Sequence, residues 1–87
     1  MKPDHELITD IVQTVASRDF IDVSVDALWS VADHGPGRSR EAADYHIWMC
    51  EQAGLIARSP DVDERRDGLC YRMTLAGWEF LEENNDR

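Results

Sequence analysis

The sequence predicts a mainly α domain with a small β-hairpin, arranged as a winged helix-turn-helix. Three observations predict it. Apolar residues recur at helical spacing in four separate segments, two short alternating stretches flank a charged turn late in the chain, and a Gly-Pro-Gly turn separates the second and third helical segments. With 87 residues the chain is one domain, 1–87, with an ordered core over 4–81 and a polar C-terminal tail over 82–87.

The first segment, from Asp4 to about Ser17, places Leu7, Ile8, Ile11, Val12 and Val15 on one stripe of a helix. Asp4 and Glu6 fall in its first turn, where the exposed backbone N–H groups favour negative charge. Phe20 to Val23 reads as a short strand. Ser24 is an N-cap for a second helix carrying Val25, Leu28, Trp29 and Val31. His34-Gly35-Pro36-Gly37 ends it as a turn. Ser39 then caps a third helix from about Arg40 to Ala53, closed by Gly54 as a left-handed C-terminal residue. Leu55 to Arg58 and Leu69 to Met73 are the strands of the hairpin. Between them Ser59 to Gly68 forms the wing, with Asp67-Gly68 as its turn. Thr74 caps a last helix with Leu75, Trp78, Phe80 and Leu81.

Charge narrows the function. Nine basic residues against eighteen acidic ones give a net charge of −9. Duplex binders gain most of their affinity by neutralising phosphates with Lys and Arg. A chain this acidic repels DNA at long range unless its arginines gather on one face. No apolar run approaches a membrane span, and no apolar stretch follows the opening Met-Lys-Pro-Asp-His-Glu as a secretory signal would. Cys50 and Cys70 are too few for a disulfide framework. The expectation is a cytoplasmic protein of a bacterial host cell with reduced thiols.

Tyr45-His46-Ile47 followed by Glu51-Gln52-Ala53-Gly54-Leu55-Ile56 resembles the third helix and strand entry of many bacterial winged helices. Met73-Thr74-Leu75-Ala76-Gly77-Trp78-Glu79-Phe80-Leu81 resembles their closing element. With the opening Met1-Lys2-Pro3-Asp4 and Glu6-Leu7-Ile8, the chain is most similar over nearly its whole length to small winged-helix proteins of unassigned role common in phages and prophages. The resemblance implies the fold and little about function. The chain departs from that pattern in a longer stretch from Val23 to Arg38, and in Trp48, where a polar or basic residue is ordinary.

Helical geometry divides the third helix. Ala42, Ala43, His46, Ile47, Met49, Cys50 and Ala53 should meet the core; Arg40, Glu41, Asp44, Tyr45, Trp48, Glu51 and Gln52 should face outward. The outward set would enter the major groove of DNA in a reading domain, yet it carries three carboxylates and an indole. The wing adds Asp61, Asp63, Glu64 and Asp67 against Arg65 and Arg66. Two main readings follow, beside a third in which the domain merely oligomerises as part of a larger assembly. In the first, a phage or mobile-element protein binds a host protein or ribonucleoprotein with a basic surface, such as a defence nuclease. It would block that partner sterically or by mimicking DNA, in the manner of an anti-CRISPR inhibitor. Glu41, Asp44, Trp48, Glu51, Asp61, Asp63 and Glu64 would be the contacts, with Trp48 the desolvated anchor. The bland alternative folds Trp48 back against the wing or packs it under the lengthened turn. In the second reading a transcriptional regulator binds operator DNA as a dimer through Arg38, Arg40, Arg65 and Arg66.

Chemistry is not expected. His46 and Cys50 are four apart, as a metal pair would be, but no Cys-x-x-Cys completes a site, so both read as core residues. Asp61-x-Asp63 lacks the glycine and terminal glutamate of a calcium loop, and Gly35-Pro36-Gly37 lacks the Lys-Ser or Lys-Thr of a phosphate cradle. No metal, cofactor or enzymatic activity is predicted.

Overall fold

A computed structural model describes residues 2–17, 23–32, 39–59 and 70–85, the side chains of 31, 32 and 85 excepted. The elements are α1 (His5–Ala16), β1 (Val23–Ser24), α2 (Val25–Ala32), α3 (Arg40–Gln52), β2 (Ile56–Arg58), β3 (Cys70–Met73) and α4 (Leu75–Asn85). The inter-helix turn 34–37, Arg38, the strand onset at Phe20 and the wing residues Asp61, Asp63, Glu64, Arg65, Arg66 and Asp67-Gly68 lie outside the described residues.

The apolar stripe of α1 becomes the centre of the core. Leu7, Ile11, Val12 and Val15 are buried, with Ile8 packed at the margin, and Val23, Leu28, Ile47, Cys50, Ile56, Tyr71 and Leu81 close around them. Asp4 is the N-cap: its carboxylate accepts from the N–H groups of Glu6 at 3.0 Å and Leu7 at 3.3 Å, satisfying donors that the first turn leaves open. Ser24 caps α2 in the same way, its Oγ accepting from the Ala27 N–H at 3.4 Å.

The three strands form one antiparallel sheet in the order β1-β3-β2. Tyr71 sits at the centre, opposite Val23 on one side and Arg58 on the other. Its ring is buried, while Arg72 beside it faces solvent, as the alternation of a half-buried strand requires.

The junction between α3, β2 and α4 is built around Gly54, Thr74 and Gly77. Gly54 has φ +77°, a left-handed conformation that costs an L side chain about 1–2 kcal/mol. Its N–H donates to Glu51 O at 3.0 Å, and the Leu55 N–H donates to Cys50 O at 2.9 Å, a Schellman closure of α3. Thr74 clasps this turn from the other side. Its hydroxyl donates to the Gly54 carbonyl and accepts from the Gly77 N–H at 3.0 Å, capping α4. Gly77 then lies so close to the turn that a Cβ built on it would stand 2.1 Å from Leu55 O. Gly54, Thr74 and Gly77 are therefore joinery.

Three sequence expectations need correction. The segment 82–87 is not simply a tail, because α4 runs on to Asn85; Asn84 Nδ2 donates to Phe80 O at 2.7 Å, supporting a last turn that needs no core contact. Ala53 is exposed rather than buried, since it is the C-cap where the chain turns out of the helix, and Met49 is only half-buried at the edge of the apolar face. Strand β2 begins at Ile56, because Leu55 is consumed by the Schellman turn.

Candidate interaction surface on the third helix

α3 is fixed at three points. Ser39 Oγ accepts from the Ala42 N–H at 3.1 Å, capping its start. The Schellman turn closes its end. In the middle, His46 is buried with both ring nitrogens engaged: Nδ1 donates to Ala42 O at 2.7 Å, and Nε2 accepts from the Asp4 N–H at 2.9 Å. A ring that accepts at Nε2 and donates at Nδ1 is the neutral Nδ1–H tautomer. It ties the start of α1 to α3 and leaves no lone pair for a metal. Among the described residues no group of three His, Cys, Asp or Glu is placed to hold one. Cys50 is a buried thiol whose pKa burial pushes up from 9.0 to about 12, against a smaller lowering by a backbone hydrogen bond. It is a packing residue and a poor nucleophile.

With the inner face of α3 occupied by Ala42, Ala43, His46, Ile47 and Cys50, its outer face is Arg40, Glu41, Asp44, Tyr45, Trp48 and Gln52. Trp48 is 50% exposed and Tyr45 40%. Their ring centroids lie 5.8 Å apart at 45°, so they form one continuous aromatic patch. Trp48 does not fold back into the protein interior. Tyr45 also meets His46 edge-on, at 6.2 Å and 72°.

The charges beside this patch are less free than their sequence positions imply. Asp44 accepts a hydrogen bond from the indole Nε1 of Trp29 on α2, and the guanidinium of Arg40 lies 3.6 Å above the same ring. Trp29 thus holds one anion and one cation of α3 on opposite parts of one indole. Glu51 is half-buried and pairs with Arg58 of β2 at 2.8 Å. Burial and the Glu51 carboxylate raise the pKa of neighbouring Tyr71, and Arg58 works in the opposite sense. Two of the three α3 carboxylates expected to meet a partner, Asp44 and Glu51, are therefore committed to partners within the chain. Glu41 keeps its outward position.

Of the arginines expected at nucleic acid, Arg40 is exposed at the first turn of α3, while Arg38, Arg65 and Arg66 lie outside the described residues. Two cations that the sequence analysis missed stand on the hairpin strands. Arg58 is exposed at the edge of β2, and exposed Arg72 donates from Nη2 to Ser59 Oγ at 3.1 Å. Strand alternation would have placed Arg72 outward, whereas no local signal marks Trp29 as the partner of residues 11 and 15 positions later.

No protein-family model matches the chain, and no curated protein matches it. A solved structure does. The crystal structure of a PadR family transcription regulator from hypervirulent Clostridium difficile superposes with a TM-score of 0.70 at 17% sequence identity, covering 92% of this chain and 83% of that one. The chain has a winged-helix fold. In that frame α2 and α3 are the helix-turn-helix pair, and β2 and β3 the antiparallel strands of the hairpin. Among the described residues no helix is long and apolar enough to cross a membrane.

Proposed function

We propose that this winged helix is a non-catalytic transcription regulator that binds DNA through the outer face of α3. The observation that carries the reading is the state of that face. Asp44 is held by Trp29 and Glu51 by Arg58, so the surface offered to a groove is Arg40, stacked on Trp29, with Tyr45, Trp48, Gln52 and the outward carboxylate of Glu41. Arg and Gln are side chains that read guanine and adenine edges, and exposed rings pack on thymine methyls or sugars. Arg40 stands at the N-terminal end of α3, the end from which a recognition helix contacts bases. Arg72 on β3, and Arg58 on β2 where a phosphate displaces its Glu51 partner, supply backbone contacts. The likeness to a transcription regulator supports the same reading.

The acidity shapes how such binding works. With a net charge of −9, long-range steering opposes approach, and affinity has to come from short-range contacts. A protein that neutralises about two or three phosphates shows a log–log salt slope of roughly −2 to −3. Selection of binders from a random duplex library tests the proposal. An enriched motif whose binding falls on Arg40→Ala and Gln52→Ala is the expected result, and a library that stays random overturns it.

One observation favours a second reading, a protein partner with a basic surface. Tyr45 and Trp48 form an exposed aromatic patch beside Glu41, the arrangement of an interface anchor with an acidic rim. In that case Trp48→Ala abolishes partner capture, and selection on DNA enriches nothing.

A further inference from the structure

A second exposed apolar surface lies on α4, away from the residues assigned to DNA. Leu75 is 75% exposed and Trp78 41% exposed, three positions apart and so neighbours on one helix face. Glu79 and Glu82 follow each of them by four positions and are exposed as well. The opposite side of α4 is fully used: Gly77 seats on Leu55, and Leu81 is buried in the core with Phe80 packed beside it. The outer strip is thus two large apolar side chains bordered by carboxylates.

The fold does not account for this strip. The first turn of α4 holds no acid, and Leu75 occupies the first helical position, where an acid would interact favourably with the helix dipole. The acids stand instead at Glu79, Glu82 and Glu83, toward the end where negative charge opposes the dipole, and no basic residue occupies the last turn. Leu75 at three-quarters exposure contributes little to the core, and Trp78 leaves much of a large ring in water. The arrangement runs against helix stability and matches an apolar ligand surface ringed by positive charge.

We propose that the outer face of α4 docks a basic amphipathic helix of a partner protein. Leu75 and Trp78 cover its apolar side, and Glu79 and Glu82 meet its lysines or arginines. The carboxylates beside Leu75 and Trp78 favour a basic occupant, whereas a second copy of this chain, with its own net charge of −9, would add Glu79, Glu82 and Glu83 of its α4 to the same interface. The recognition mode is helix against helix, read through anchors spaced three and four apart. It does not depend on the DNA-binding reading.

The probe is a synthetic amphipathic peptide of alternating leucine and lysine faces, titrated into the isotopically labelled chain and followed by amide chemical shifts and calorimetry. The largest shifts are expected over 75–83. Leu75→Asp is the informative variant. It makes the surface more acidic, so a merely electrostatic attraction would strengthen, whereas docking through Leu75 weakens by about fivefold or more. Trp78→Ala and the pair Glu79→Lys, Glu82→Lys should weaken binding comparably, and Trp48→Ala should leave it within about twofold. Because Leu75 is largely exposed, an unchanged circular dichroism spectrum for Leu75→Asp shows that the fold is intact. The proposal is overturned if Leu75→Asp binds as tightly as wild type, if the shifts map to α3, or if a peptide with glutamate in place of lysine binds equally. It is also overturned if sedimentation shows a wild-type dimer that Leu75→Asp dissociates, since the occupant would then be a second copy.

Discussion

Replacing Gly77 with alanine tests how the closing helix is seated, and the structure sets the size of the effect. The added Cβ would lie 2.1 Å from Leu55 O, at least 0.9 Å inside the 3.0 Å below which Cβ contacts are essentially unknown, and 2.9 Å from Met73 Cε. The methionine end can swing away. The Leu55 carbonyl cannot, because its residue is held by the bond from its N–H to Cys50 O and the preceding Gly54 carbonyl by the Thr74 hydroxyl. Relief therefore requires α4 to lift off, losing the Thr74 contact and loosening Leu81. Overpacking of this kind costs about 1–3 kcal/mol and a lost hydrogen bond about 1 kcal/mol, against a gain of roughly 1 kcal/mol from helix propensity. The net loss is about 1–3 kcal/mol, which lowers the melting temperature of a domain this size by roughly 4–20 °C. Thermal unfolding followed by far-ultraviolet circular dichroism measures it. Ala76→Gly, on the exposed side of the same turn, is the control and should lose only about 1 kcal/mol. A Gly77→Ala protein as stable as wild type, or more stable, would refute the close seating of α4 on the Schellman turn.

Three further outcomes are expected. Trp29→Phe and Asp44→Asn should each destabilise modestly, and the double variant should reveal a coupling of about 0.5–1 kcal/mol, the scale of an exposed charge-assisted hydrogen bond; strict additivity in urea titrations would show that the indole does not hold Asp44. In the native protein at pH 8 a thiol reagent should modify half-buried Cys70 well before Cys50, whose thiol burial holds up to about 12; equal rates for the two would contradict the packing of α3. The same raised pKa has a stability consequence. The unfolded thiol ionises near 9.0 and the folded one near 12, so the folded state binds more protons between these values. Its contribution is complete below about pH 9 and is lost as pH rises toward 12, and the ionisation of Tyr71, also raised, acts in the same direction. The urea midpoint should fall between pH 8.5 and 11, and this fall should be smaller in Cys50→Ala.

Local patterns in the chain carried most of the fold. The stripe of α1, the Ser39 and Thr74 caps and the Gly54 closure are each written within a few residues of where they act, and each appears in place. The inner and outer faces of α3 follow from helical period alone, with Ala53 misplaced because the period does not register where a helix stops. The site was harder to read for a physical reason. Counting carboxylates along α3 gave a surface hostile to phosphates, but whether a carboxylate is free depends on contacts distant in sequence. Asp44 is held by Trp29 from the preceding helix, and Glu51 by Arg58 beyond the Schellman turn. Neither pairing has a sequence period. The exposure of Trp48 was legible from its position on the wheel, whereas its pairing with Tyr45 into one patch required the rotamers of both rings. The role of Gly77 was visible only as part of a resemblance, because nothing in the sequence reveals that a carbonyl will press against it.

The measurement that bears most directly on the functional account is fluorescence anisotropy of a labelled duplex carrying the motif enriched by selection. It compares the wild-type chain with Trp48→Ala, Gln52→Ala and Trp78→Ala. Loss of a single contact worth about 1.4 kcal/mol weakens binding tenfold. The account predicts losses of that order for the two α3 variants and an unchanged affinity for Trp78→Ala on α4. Equal binding by wild type and both α3 variants would contradict it.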